Sequence, residues 1–283
     1  VRDYTQFLLK ELTMKWLTLL LIAIAPSVFA DGHHGAHVSL DWDTALAGEH
    51  RSDANKARDA HRHPQETLQF FGLTPNMTVL EVSPGGGWYT EVLAPLLADQ
   101  GKLVAGHGSP NGSAYSRRSL GRYLQKLGEN HDVYASVDVR VMQPPQTPID
   151  VTPESIDLAV VFRNVHSWLR ADNADAALAD IFRSLKPGGT LGIVQHRGVE
   201  GTTLEDMKRK AYVPESKVIS LAQAAGFVLD GKSEINANQA DTKDYPRGVW
   251  TLPPSFTEGD KDRQRYAAIG ESDRMTLRFK KPE

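Results

Sequence analysis

The sequence predicts a doubly wound, mostly parallel α/β sheet, and three observations predict it. Strand-like and helix-like stretches alternate from residue 78 to about 235. The run Ile156-Asp157-Leu158-Ala159-Val160-Val161-Phe162 is apolar almost throughout, as in a strand covered on both faces. The stretch Val79-Leu80-Glu81-Val82-Ser83-Pro84-Gly85-Gly86-Gly87-Trp88 passes from an apolar strand through three glycines into a helical period. Glycines there permit positive φ and let a ligand approach the backbone, and the helix start turns free N–H groups toward that ligand. Glu81, at the strand end, can accept hydrogen bonds from an amine or a hydroxyl.

Taken in order, the chain begins with a segment that reads as an export signal. Met14-Lys15 precedes an apolar run ending Ser27-Val28-Phe29-Ala30, the pattern of a secretory signal peptide cleaved after Ala30. On this reading Met14 is the true start, residues 1–30 are removed, the mature protein is periplasmic or secreted, and no stable membrane anchor remains after cleavage. The run is short for a bilayer span, although an uncleaved anchor is the competing reading. Cleavage after Ala30 would expose Asp31-Gly32-His33, whose amine, amide nitrogens and imidazole form a square-planar set suited to copper(II); a solvated tail is the alternative.

Residues 31–75 read as a tail and helices, and residues 76–283 as the main domain. Ser52 caps a polar helix, and Pro64 and Gly72 bound a second one. After the first strand, helices are expected at 89–97, 119–127, 174–185 and 216–225. Strands are expected at 101–106, 134–141, 156–162, 190–194, 227–235 and 275–280. Residues 236–270 are polar and rich in Pro, Gly and Asp, an insertion too long for a plain turn.

Composition narrows the function classes. The formal charge is −3 with a pI near 6.4, which gives no electrostatic case for a nucleic-acid partner. The absence of cysteine excludes disulfides, thiolate metal sites, cysteine nucleophiles and a lipoprotein anchor. The domain itself suggests no metal.

These residues resemble the class I S-adenosylmethionine-dependent methyltransferases over roughly 66–281, and more narrowly a group of exported methyltransferase-like proteins. The resemblance rests on Glu81-x-Ser83-x-Gly85-x-Gly87, on Arg163-Asn164-Val165-His166-Ser167-Trp168 after the fourth strand, and on Ser184-Leu185-Lys186-Pro187-Gly188-Gly189. Ala225-Gly226-Phe227 with the closing strand completes it. It implies a seven-stranded Rossmann-like sheet with an antiparallel terminal hairpin and an N-terminal helical extension. It also implies S-adenosylmethionine as cofactor, with Glu81, Ser83, Gly85, Gly86, Gly87, Ser109 and Asn164 as binding residues, and methyl transfer to an unknown small-molecule acceptor. Two departures stand out. Ser83 replaces the usual first glycine. The place after the second strand, Gly106-His107-Gly108-Ser109-Pro110, has no acid for the ribose, so that role passes to Ser109 or His107, or affinity is weak.

His166 and His196 follow the fourth and fifth strands at the carboxyl edge of the sheet, where ligands bind, and are the candidate catalytic bases. A hydrogen-bonded structural histidine is the alternative for each. Trp168 packs against an acceptor or within the core. Arg197 pairs with an acidic acceptor or lies on a surface loop. Arg62-His63 either closes over the pocket from the N-terminal helix or, the preferred reading, is helix capping on a solvated face. Tyr212 and Trp250 are lid candidates. Two competing functions remain open. One is an NADP-dependent oxidoreductase with Arg117 and Arg118 on a 2′-phosphate, although the glycine fingerprint is incomplete. The other is an exported non-catalytic binding protein, favoured by the missing acid and by a compartment with no evident methyl-donor supply.

Overall fold

The structure is a computed structural model that describes residues 40–283; the signal-peptide and Asp31-Gly32-His33 readings lie outside those residues. Four short helices come first: α1 (Trp42–Ala47), α2 (Asp53–Lys56), α3 (Asp59–Arg62) and α4 (Pro64–Phe70). Side chains cap two of them, Asp41 accepting from Thr44 N–H and Ser52 from Asn55 N–H. Pro64 occupies the first turn of α4, and Gly72 follows its end at φ +82°, as the sequence led us to expect.

The alternating region then unfolds as β1 (Thr78–Val82), α5 (Thr90–Leu97), β2 (Lys102–His107), α6 (Ala114–Glu129), α7 (His131–Tyr134), β3 (Asp138–Val141), β4 (Ile156–Phe162), α8 (Val165–Ala171), α9 (Ala174–Ser184) and β5 (Leu185–Gly198). It closes with α10 (Leu204–Lys210), β6 (Val213–Pro214), α11 (Glu215–Ala224), β7 (Val228–Ser233), α12 (Arg263–Ile269) and β8 (Arg274–Lys280). The main sheet runs β3-β2-β1-β4-β5-β8-β7, with β6 beside β5. β1 to β5 are parallel, and β8 is antiparallel to both neighbours. The chain therefore steps outward through β2 and β3 and returns to start again at β4. That reversal opens a crevice at the carboxyl ends of β1 and β4, the place where such sheets bind ligands. Among the described residues, no helix is long and apolar enough to cross a membrane.

Side-chain alternation fixes the register. Leu80, Val82, Ala159 and Val161 pack into one core with α8, α9 and α11. Val79, Leu158, Val160 and Phe162 pack into the other with Leu68, Phe71 and the apolar face of α5. Each fully buried aliphatic side chain contributes roughly 1.5–3 kcal/mol. A one-residue slip of β1 would exchange the faces of Leu80 and Glu81, so packing on both sides specifies the pairing.

Five stretches depart from the elements expected. The strand expected at 134–141 is α7 followed by the shorter β3, because Tyr134 turns into the core alongside α5 rather than along the sheet. The segment after β4, expected as a loop, is α8. Residues 204–210, not expected to be helical, form α10 with Thr203 as its cap. The insertion 236–270 holds a 3-10 turn (Gly248–Thr251) and α12, and builds a small core from Tyr245, Val249, Leu252 and Tyr266 with Tyr212. The Lys186-Pro187-Gly188-Gly189 stretch belongs to β5 as an irregularity between the Ile156↔Leu185 and Leu158↔Thr190 pairs.

Gly192 marks the tightest approach of α4's end to the sheet. A Cβ there would lie 2.5 Å from the ring of Phe71, which is itself buried between Phe70 and Phe162. Gly192→Ala should therefore lower stability by about 1–3 kcal/mol, read as a fall in the denaturant midpoint. Gly121→Ala, exposed on α6 with nothing within 4 Å of the added carbon, should leave the midpoint unchanged or raise it.

Candidate active site

The crevice is built around the turn after β1. Ser83 N–H donates to the Gly106 carbonyl at 2.8 Å, so the turn starts fastened to β2. Ser83 has φ +50°, Gly85 +62° and Gly87 +78°. Ser83 thus holds a left-handed conformation that costs a non-glycine residue roughly 1–2 kcal/mol. The glycines divide the work. Nothing lies within 4 Å of a Cβ added to Gly85 or Gly86, so both border open space. Gly87 is buried, and a Cβ there would meet Tyr123 and Lys126 at 3.1 Å. Its role is packing, which corrects the expectation that it lines the ligand site.

Two cavities meet over this turn. The first, of about 370 Å³, lies toward the N-terminal helices and is bordered by Glu81, Arg62, Arg163, His166, His196 and Trp250 among others. The second, of about 410 Å³, lies over β2, β3 and α8 and is bordered by His107, Met142, Gln143, Pro144, Trp168 and Asn173 among others. Ser83, Gly85, Tyr115, Asn164 and Ser167 border both. Asn164 is fixed by donating from Nδ2 to the Val82 carbonyl at 2.8 Å, which holds the ends of β1 and β4 together between the cavities.

Glu81 is 2% exposed and accepts from Thr90 Oγ1 at 2.5 Å. His107 accepts from Gly108 N–H at Nδ1 (2.8 Å), so its proton sits on Nε2 and faces the Gly85 carbonyl at 3.3 Å. Its lone pair and its proton are both committed to the turn, which removes it as a ribose ligand. Ser109 is corrected in the same way: its hydroxyl accepts from Asn111 N–H, and it borders neither cavity.

The two candidate bases do share the first cavity, with ring centroids 5.6 Å apart. Burial pushes His166 down to about 4, with Arg170 adding to the effect. Burial also holds His196 well below the usual histidine range, aided by His166 and then by Arg163, Arg274 and Arg62. Both are neutral imidazoles. Gln195 Nε2 faces His166 Nδ1 at 3.4 Å and donates to the Ala211 carbonyl, which places the His166 proton on Nε2. His196 Nδ1 lies 2.6 Å from Ser272 Oγ. When Nδ1 donates there, Nε2 keeps a lone pair that can take a proton.

Other expectations divide. Trp168 borders the second cavity, and Trp250 borders the first, 5.9 Å from the His166 ring. Tyr212 is no lid: it is buried and donates to Asp241 at 2.9 Å. Arg197 is paired with Glu234 at 2.7 Å, away from both cavities. Arg117 turns back onto the Gly112 carbonyl. For Arg62 the structure overturns the preferred capping reading and agrees with the alternative, at the pocket. Arg62 is 1% exposed, borders the first cavity and bonds Glu271 at 3.1 Å, so it is neither a cap nor solvated. Arg58, Arg163, Trp88 and Tyr89 were not anticipated. Arg58 and Arg62 stand at helical spacing, which was the one signal available in the sequence.

Burial raises Glu81 from 4.5 to about 7, against the opposing bond from Thr90. The fold then keeps a proton that the unfolded chain has already released. Stability is full below about pH 4.5 and falls by about 3 kcal/mol as pH rises through about 7. Glu81→Gln keeps an acceptor for Thr90 but cannot ionise. Its stability relative to the parent should rise by about that amount between about pH 4.5 and 8 in urea titrations. A difference independent of pH would contradict the burial of this carboxyl.

Comparison with known proteins fits this geometry. Residues 80–193 match the family model described as a methyltransferase domain. A ubiquinone/menaquinone biosynthesis C-methyltransferase, UbiE of Teredinibacter turnerae, is 30% identical over 146 residues, 52% of this chain and 52% of that one. The chain therefore spans about half the length of that curated relative. Among solved structures, a SAM dependent methyltransferase from Aquifex aeolicus superposes with a TM-score of 0.52 at 17% identity, covering 80% of this chain and 93% of that chain. The [4+2]-cyclase SpnF superposes at 0.53, also at 17% identity, covering 78% of this chain and 80% of that chain. At such identities the likeness shows the fold. The open floor over Gly85 and Gly86 between two joined cavities has room for a molecule with a planar base at one end and an amino-acid arm at the other, such as S-adenosylmethionine. Residues 80–193 thus match a methyltransferase-domain model, and the fold is shared with solved structures that include a SAM dependent methyltransferase.

Proposed function

We propose that this chain transfers a methyl group from S-adenosylmethionine to a small acceptor, and that it works outside the cytoplasm. The observation that carries the proposal is the pair of cavities joined over the glycine turn at the carboxyl ends of β1 and β4. The signal-like segment 14–30 supports export.

The bound donor supplies an electrophilic methyl on a sulfonium, and the chain's residues do the rest. The second cavity suits the adenosine, with Met142, Pro144 and Trp168 as apolar walls and Gln143, Ser116 and Asn173 as polar edges. Gln143, through the amide nitrogen left free when its Oε1 accepts from Ser109 N–H, takes the place of the missing acid after β2, with Ser116, whose proton goes to the Ser109 carbonyl, as an acceptor beside it. Asn164, at the junction, has its amide nitrogen committed and presents its carbonyl oxygen to the arm or the acceptor. The acceptor occupies the first cavity, where Trp88, Tyr89, Phe162 and Trp250 supply aromatic surface among polar groups. Holding nucleophile and methyl in line is the main contribution, about 7–11 kcal/mol in the best intramolecular models. Where the acceptor must lose a proton, His196 Nε2 is the better-placed base and His166 stands beside it.

The competing readings answer to one titration. The full chain should bind S-adenosylmethionine in the micromolar range by calorimetry and give no heat with NADPH. Gly85→Val places a branched side chain at φ +62° and in the open floor, and should abolish that binding while the protein stays folded by circular dichroism. NADPH binding would restore the oxidoreductase reading. Binding of neither would leave an exported binding protein on this fold, a separation of fold from activity that the fold permits.

A further inference from the structure

The first cavity holds more positive charge than the protein neutralises. Glu271, 5% exposed, lies just before β8 and, among the described residues, is the carboxylate that Arg58, Arg62 and Arg274 pair with; Glu81, which also borders the cavity, bonds Thr90 instead, and burial resists its ionisation. Arg58 Nε reaches Glu271 at 2.7 Å, Arg62 Nε at 3.1 Å and Arg274 Nη1 at 3.0 Å. Arg163 belongs to the same field, which with burial holds it down to about 10. Four guanidinium groups therefore share one carboxylate. Arg62 is 1% exposed, yet its Nη1 and Nη2 have no hydrogen-bond partner among the described residues. The side chain of Arg163 makes no ion pair among the described residues, and both arginines border the cavity. Burying an unpaired charge costs several kcal/mol unless something offsets it.

We propose that the methyl acceptor is an anion, carrying a carboxylate or phosphate group that Arg62 and Arg163 seat beside the wall formed by Trp88, Tyr89 and Phe162. This rests on the methyltransferase reading of the same site and names its substrate class. The donor's own carboxylate is the competing partner for these arginines, but its sulfonium and ammonium bring two positive charges with it, so the donor adds no net negative charge to the cavity. The geometry suits a fork-shaped donor pair meeting a planar or tetrahedral oxyanion. The wall is aromatic: Tyr89 and Phe162 stack on each other with centroids 3.4 Å apart and planes 4° apart, Trp88 meets Tyr89 edge-on at 75°, and the Arg62 guanidinium lies 4.7 Å from the Trp88 ring. An aromatic acid would use both features, its ring on the wall and its anionic group on the arginines. The transfer balances without another reactant: the acceptor's nucleophilic atom bonds the methyl carbon as the sulfur–methyl bond breaks, sulfur keeps the electron pair, and the acceptor's proton passes to His196 or to water.

The test uses the full chain, with benzoate and phenyl phosphate as probes, in calorimetric titrations with and without S-adenosylhomocysteine. S-adenosylhomocysteine and methylthioadenosine, which lacks the amino-acid arm, are titrated separately. At least one aromatic anion should bind, and benzyl alcohol should not. Arg163→Gln should weaken that anion by about tenfold or more, as expected for loss of a charged partner, and Arg62→Lys should weaken it as well. The affinity for S-adenosylhomocysteine should stay within about twofold in both variants. Arg163 forms no ion pair, so its variant reads the site even if Arg62→Lys perturbs the fold. Failure of both anions to bind the parent protein overturns the proposal. So does a loss of S-adenosylhomocysteine affinity in Arg163→Gln with methylthioadenosine unaffected, since the arginines would then hold the cofactor's own carboxylate. If S-adenosylhomocysteine fails to bind while an anion binds through Arg163, the anion site stands and the methyltransferase reading falls.

Discussion

The buried carboxylate of Glu271 is the interaction on which the site depends. It gathers Arg58 and Arg62 from the helices before the sheet and Arg274 from the first residue of the last strand. Burial alone would raise its pKa, but Arg62, Arg274 and Arg58 outweigh that and hold it down to about 2. A carboxyl held this low contributes stability above its unfolded pKa of about 4.5, and that contribution is lost as pH falls toward 2. Such a cluster need not stabilise the fold relative to an apolar one. Its effect is positional. Without this anion the three arginines would have no reason to turn inward, and α3 would not bring Arg58 and Arg62 to the wall of the cavity. A second buried acid, Glu91 on α5, does a similar job one layer away. It receives Asn55 at 2.8 Å and Lys126, with Arg51 close by at 3.6 Å, and it anchors the same helical segment over the glycine turn.

The turn after β1 shows how one short stretch divides its labour. Ser83 is strained, fastened to β2 and open to both cavities. Gly85 and Gly86 are kept bare for a ligand. Gly87 is bare because Tyr123 and Lys126 need its space. His107, standing where the family's ribose-binding acid is expected, serves the turn by donating to the Gly85 carbonyl. The polar work of that place moves to β3's end and α6, where Gln143 and Ser116 border the second cavity.

Much of this was legible in the sequence, and the reasons are local. The alternation of strands and helices, the glycine turn and the Lys186-Pro187-Gly188-Gly189 stretch are written in neighbouring residues, so the order of elements and the carboxyl-edge position of His166 and His196 follow from them. Asn164, Ser83, Gly85, Gly86 and Glu81 border the cavities for the same reason. What escaped is long-range. The pairing of Arg62 with Glu271 spans 209 positions, and no local pattern distinguishes a solvated arginine from one aimed at a distant carboxylate. Ser109 looked like a ligand by position, yet its hydroxyl was taken by its own loop. The insertion 236–270 looked like polar loop because its apolar residues, Tyr245, Val249 and Tyr266, are too sparse to show a period, and they form a core only when folded back on Tyr212.

The arginine field and the histidines constrain each other. Arg163, Arg274 and Arg62 all depress His196, after burial and His166. A base held that low is already unprotonated at neutral pH, but it is also a poor proton acceptor, since its cation would be buried beside three guanidinium groups. A neutral acceptor would leave that penalty in place. An anionic acceptor removes it, because the charge that pairs with Arg62 and Arg163 also screens them from His196. Proton acceptance would then be easiest when the acceptor is seated, and the site would resist protonation when the acceptor is absent. The unpartnered nitrogens of Arg62 and the arginine contribution to the lowered His196 thus answer to the same charge, while burial sets the larger part of the histidine's shift.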